Sequence, residues 1–116
     1  QVSRADAIYN IAHGAMVLKA LELGDEKLLR TAMQDRLHQK YRKKLIPDYD
    51  KIEALVRTTG AAFCLSGAGP TLLCITRHGD LQEKLSKKLH TITEKNWQML
   101  PLHVEFQGAH IISIEE

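Results

Sequence analysis

Two stretches of this 116-residue chain combine residue types and spacing that could bind a charged small molecule. The first is Ser66-Gly67-Ala68-Gly69-Pro70-Thr71, in which two glycines flank one small residue between two short apolar runs. Glycines so spaced let the backbone take positive φ and approach another group closely, and successive N–H groups can then form a concave anion nest. Ser66 and Thr71 add hydroxyls at its two ends. The same spacing also suits a plain strand-to-strand connection, where Gly and Pro supply only turn geometry. The second stretch runs from Asp35 to Pro47 and gathers Arg36, His38, Lys40, Arg42, Lys43 and Lys44 around Tyr41. Read by itself, it is equally a solvated helix end whose cations complement the negative end of the helix dipole.

The elements that must position these stretches follow from periodicity and caps. Ser3, with Asp6 three residues on, marks a helix start. Ile8, Ile11, Ala12, Ala15, Leu18 and Leu21 then recur at helical spacing as an expected inward face, until Gly24 stops the run. Gly14, inside this helix, suggests close backbone packing. Asp25 is expected to cap a second helix that buries Leu28, Leu29, Ala32, Met33 and Leu37. The Arg36–Leu45 stretch continues as helix or broken helix until Pro47 ends it. Asp48 or Asp50 opens another helix with Ile52, Leu55 and Val56 inward, closing near Gly60. Ala61 to Leu65 and Thr71 to Thr76 read as strands. Asp80 is placed to cap a helix carrying Leu81, Leu85, Leu89 and Ile92 on one face. Leu102, Val104 and Phe106 alternate with polar residues as a half-buried strand would, with Gly108 a bulge before Ile111, Ile112 and Ile114. Helices, two strands, a helix and a strand in that order indicate an α+β fold with an antiparallel sheet.

Composition narrows the function classes. A hydrophobic fraction of 44% and a charged fraction of 26% are those of a globular domain. A net charge of +2, without aromatics interleaved among basic residues, gives no basis for nucleic-acid binding. No apolar run approaches the roughly 20 residues that span a bilayer, and no signal peptide is present, so no membrane partner is expected. The six histidines lack metal-ligand spacing, so no metal site is expected. Cys64 and Cys74 lie symmetrically about Gly69, so a tight hairpin would set them opposite one another, close enough for a disulfide. Two buried thiols in a reducing, cytoplasmic setting are the expectation. A chain opening on Gln1 directly into a capped helix reads as cut from something longer.

Leu65-Ser66-Gly67-Ala68-Gly69-Pro70-Thr71-Leu72-Leu73 resembles the third conserved motif of the GHMP kinases. His38-x-x-Tyr41-Arg42-x-x-Leu45-x-Pro47 and the opening Asp6-Ala7-Ile8-Tyr9-Asn10 resemble the homoserine kinases within that superfamily. The resemblance runs from Val2 to about Thr76. It implies that residues 1–116 form a GHMP kinase C-terminal domain, a ferredoxin-like antiparallel sheet elaborated with extra helices, without the N-terminal ATP-binding domain. It further implies ATP-dependent phosphorylation of L-homoserine in threonine biosynthesis, with ATP and Mg2+ held by the full-length enzyme and no catalytic residue in this chain. Gly67, Ala68 and Gly69 would support the phosphate loop of the missing domain, with Ser66 and Thr71 facing the cleft. Arg42 would grip the substrate carboxylate through two parallel charge-assisted hydrogen bonds, with Arg36, His38 and Tyr41 as lesser candidates. The first strand of such a sheet would lie upstream of Gln1, and unpaired edges invite pairing with another chain, a homodimer included. A non-catalytic α+β module that binds a ligand or dimerises, and a GHMP kinase with another acceptor, are the alternatives.

Overall fold

A computed structural model of the chain describes residues 1–111. In chain order these form α1 (Arg4–Leu23), α2 (Glu26–Ala32), α3 (Gln39–Arg42) running into a 3₁₀ turn (Lys43–Leu45), and α4 (Tyr49–Arg57). Then follow β1 (Ala62–Leu65), β2 (Leu72–Ile75) and α5 (Leu81–Ile92). The class is α+β, as expected. Ser3 Oγ accepts the Asp6 amide at 3.0 Å and Asp25 Oδ1 the Leu28 amide at 2.9 Å, so both predicted caps form. Asp48 and Asp80 precede α4 and α5 but cap neither with a side chain. Asp80 pairs instead with Lys84 at 2.6 Å. Asp48 turns its carboxylate, only 3% exposed, to the amides of Glu94 and Lys95 beyond the end of α5, at 2.9 and 3.1 Å.

β1 and β2 pair antiparallel, with Ala62 opposite Ile75, Phe63 opposite Cys74, Cys64 opposite Leu73 and Leu65 opposite Leu72. Side chains alternate across a sheet, so Ala62, Cys64, Leu73 and Ile75 share one face. Against that face Ala62 is buried with Ala20 of α1 and Leu29 of α2, and Val17, Leu28, Met33 and Ile75 pack around them. Phe63, Leu72 and Cys74 look the other way, onto Ile52, Leu55 and Val56 of α4 and Leu85 and Leu89 of α5. Each such side chain, fully buried, contributes about 1.5–3 kcal/mol. The ribbon is thus covered by α1 and α2 on one side and by α4 and α5 on the other.

This register corrects the expected cysteine pairing. Phe63, not Cys64, stands opposite Cys74, so the two cysteines lie on opposite faces. Symmetry about Gly69 needed one residue of offset that the loop does not supply. Both thiols are free, and burial pushes Cys64 up and Cys74 up to about 11, which keeps them as unreactive thiols near neutrality.

Two apolar stripes also sit differently from expectation. On α1 the Ile8, Ile11, Leu18 and Leu21 stripe faces outward, with Ile11 75% and Leu18 72% exposed, while Val17 and Ala20 face the sheet. A two-stranded ribbon is too narrow to cover both sides of a 20-residue helix. Leu37 is likewise on the exposed side. An added Cβ on Gly14 would meet nothing within 4 Å, so that glycine marks no close packing. The strand expected at Leu102–Phe106 does not form, and Leu102 and Phe106 are 82% and 93% exposed. A strand needs a neighbour for its backbone polar groups, and no described element lies beside this segment. The expected continuation through Ile112 and Ile114 lies outside the described residues.

Candidate functional site

The glycine loop leaves β1 and returns as β2, closed by Ser66 N–H to the Thr71 carbonyl at 2.9 Å and Gly69 N–H to the Ser66 carbonyl at 3.1 Å. Gly67 and Gly69 both take positive φ, +55° and +81°, and Pro70 follows a cis peptide bond. Their surroundings differ. A Cβ on Gly67 would point into open space, whereas one on Gly69 would lie 3.0 Å from both Ile46 Cδ1 and Leu65 Cδ1. Gly69 therefore sits on the buried Ile46–Tyr49–Leu65 cluster, while Gly67 offers a bare backbone to solvent. Ser66, Ala68 and Thr71 are also exposed, and the Gly67 and Ala68 amides make no hydrogen bond among the described residues. Exposed donors at a tight turn are what an anion nest requires.

Arg42 comes to this loop from α3. Its Nε and Nη2 both donate to the Ala68 carbonyl, at 3.0 and 2.6 Å. Asp35 places α3 by accepting the amides of Leu37 at 2.6 Å, His38 at 2.7 Å and Gln39. Asn10 of α1 donates to the same carboxylate at 3.2 Å and accepts the Arg36 amide at 2.9 Å, which ties the segment to α1. Burial alone would raise the Asp35 pKa, but the amides of Gln39 and His38 and the Asn10 side chain outweigh it and hold the carboxyl below its usual value.

A group with a depressed folded pKa stabilises the fold above its unfolded value, about 3.9 for Asp, and loses that contribution as pH falls through the folded one. Asp35→Asn is expected to cost about 1 kcal/mol at pH 7, because the amide keeps one acceptor oxygen and loses the one that takes the Gln39 N–H. That deficit should shrink as pH drops below about 4. Urea unfolding of both proteins at pH 7 and pH 3 checks this, and a constant difference would remove Asp35 as the acid-sensitive group.

The lesser candidates separate from Arg42. The Arg36 guanidinium stacks over the Tyr9 ring at 3.9 Å, and Tyr9 stacks on His13 at 3.7 Å, so Arg36 belongs to the α1 side. His38 enters the network through its amide. Tyr41 is exposed, with Lys40 Nζ 4.9 Å from its ring. One residue the sequence reading passed over is Gln39, whose Oε1 accepts the Leu65 amide at 2.9 Å and whose Nε2 donates to the Met33 carbonyl at 3.0 Å. Its place three residues before Arg42, on the same helix face, was the signal available. Among the described residues, no group of three or more His, Cys, Asp and Glu side chains is arranged to hold a metal ion. No described helix is long and apolar enough to cross a membrane.

The family described as GHMP kinases C terminal matches residues 17–93. A homoserine kinase of Synechococcus sp. (strain ATCC 27144) is 42% identical over 117 residues, covering 100% of this chain and 36% of that protein. A homoserine kinase of Nostoc punctiforme is 53% identical over 76 residues, covering 65% of this chain and 25% of that protein. The chain thus spans about a quarter to just over a third of the length of these curated relatives. The crystal structure of homoserine kinase from Cytophaga hutchinsonii superimposes with a TM-score of 0.71 at 22% identity, covering 78% of this chain and 29% of that one, which supports the fold.

Proposed function

We propose that this chain, which belongs to the C-terminal family of the GHMP kinases, forms one wall of the active site of an ATP-dependent homoserine kinase. The reaction would carry the γ-phosphoryl of ATP to the side-chain hydroxyl of L-homoserine, giving O-phospho-L-homoserine for threonine biosynthesis. The observation that carries this reading is the junction of Arg42 with the glycine loop, which sets a fixed cation beside exposed backbone donors. A relative named homoserine kinase that matches the whole of this chain supports homoserine as the acceptor.

Within that reading each residue has a stated task. Arg42 spends Nε and Nη2 on Ala68 and leaves Nη1, which makes no hydrogen bond among the described residues, to donate to the homoserine carboxylate. Gly67 and Ala68 present their amides, and Ser66 and Thr71 their hydroxyls, toward the phosphate loop of the ATP-binding domain. Phosphoryl transfer depends mainly on positioning and charge stabilisation, and a braced wall supplies part of the first. ATP and Mg2+ would be held by the remainder of the kinase. A cytoplasmic setting belongs to the same proposal, consistent with two free, half-buried thiols.

The test compares homoserine with mevalonate as acceptor for the full-length protein in an ADP-release assay. Turnover of homoserine with little turnover of mevalonate is expected, and the reverse preference would overturn the acceptor assignment. Residues 1–116 alone should show no turnover, and tight binding of Mg-ATP to them by calorimetry would contradict the division of labour.

A further inference from the structure

We infer that Gln39 is a positioning residue of this site, holding the entry of the glycine loop while Arg42 holds its middle. The inference rests on the kinase reading above and adds a residue to it. Ser66 directs its amide across the ribbon to Thr71, so the preceding amide, that of Leu65, faces the open edge of β1. No strand covers that edge among the described residues. Gln39 Oε1 takes the Leu65 N–H at 2.9 Å, and the other end of the same amide donates to Met33 O at 3.0 Å just after α2. One side chain therefore bridges the end of α2 to the last residue of β1.

Gln39 and Arg42 lie one turn apart on α3, so their side chains leave the same face. Together they grip the loop at Leu65 N–H and at Ala68 C=O. A four-residue helix has no stability of its own. Its position is set by the Asp35 carboxylate at its head and by these two side chains. Removing the Gln39 contact frees the loop entry, while Arg42 keeps its own hold on Ala68 from a helix still anchored by Asp35. Gln39 itself contacts no substrate in this reading, so its loss should fall on the geometry of transfer more than on acceptor affinity.

Two substitutions in the full-length kinase test this. Gln39→Leu keeps the size and removes both hydrogen bonds, whereas Gln39→Glu keeps the acceptor for Leu65. At temperatures well below the unfolding midpoint, Gln39→Leu should lower kcat about 10- to 100-fold, with a threefold or smaller change in the homoserine KM. Gln39→Glu should keep a kcat clearly above that of Gln39→Leu, since it retains the acceptor for Leu65 although it loses the donor to Met33. A folded Gln39→Leu protein with parental kcat, or a Gln39→Glu protein as slow as Gln39→Leu, overturns the inference. Amide hydrogen exchange at Leu65 gives a readout independent of substrate. It should quicken at least about tenfold in Gln39→Leu relative to Gln39→Glu, and equal exchange would sink the contact itself. Absence of homoserine turnover in the parent would instead count against the functional reading, with Leu65 exchange still deciding the role of Gln39 at the loop.

Discussion

Replacing Arg42 with lysine in the full-length kinase is expected to raise the homoserine KM about 10- to 100-fold, the worth of a charge-assisted hydrogen bond. The ATP KM should move less than about threefold, since the proposal places the substituted group at the acceptor and not at the nucleotide. Lysine keeps the charge but not the fork. The guanidinium reaches Ala68 O through Nε and Nη2 at once and still has Nη1 to offer. An ammonium is a single centre and cannot hold the loop carbonyl and a carboxylate in the same fixed geometry. Steady-state kinetics with each substrate varied in turn checks this. An unchanged homoserine KM would remove Arg42 from substrate binding, and equal increases for both substrates would make it a loop brace alone.

Gly69→Ala should destabilise the fold by about 2–5 kcal/mol, and Gly67→Ala by about 1–2 kcal/mol. The shared part is the left-handed backbone, which costs an L-residue about 1–2 kcal/mol. The difference is crowding, typically 1–3 kcal/mol in a packed core. The methyl on Gly69 would meet Ile46 Cδ1 and Leu65 Cδ1 at 3.0 Å, inside a buried cluster, whereas the methyl on Gly67 meets nothing. Denaturant unfolding of both variants gives the comparison. Ile46→Val removes one of the two obstructing atoms and should soften the Gly69→Ala penalty. Equal losses at the two glycines would show that the cluster yields freely.

Local rules made much of this fold legible. Ser3 and Asp25 announce their helices because a cap depends only on residues three apart, and the two strands stand out as short apolar runs around a Gly-Pro turn. The loop and the Arg42 segment could be picked out as candidates from residue type, but not the bond between them, which joins residues 26 apart. The α1 error has a similar origin. Periodicity finds an apolar stripe, but α1 carries two, and which one turns inward depends on where α2 and the sheet lie. Cys64 and Cys74 were misplaced because strand register depends on loop geometry, and one residue of offset reverses the face. Gln39 was missed because a glutamine in a charged stretch reads as surface until Leu65 is seen beside it.

The Asp48 carboxylate has a consequence for the order in which the molecule assembles. Most of the architecture is built from near neighbours in sequence: α1 with α2, and the hairpin with its own short turn. Asp48, by contrast, joins the start of α4 to amides 46 and 47 residues further on. Contacts of that span cannot close until the intervening chain is in place, since the entropy of the loop must be surrendered first. The hairpin and α5 are therefore expected to settle before Asp48 engages Glu94 and Lys95, so this carboxylate latches the α4–α5 layer late in folding.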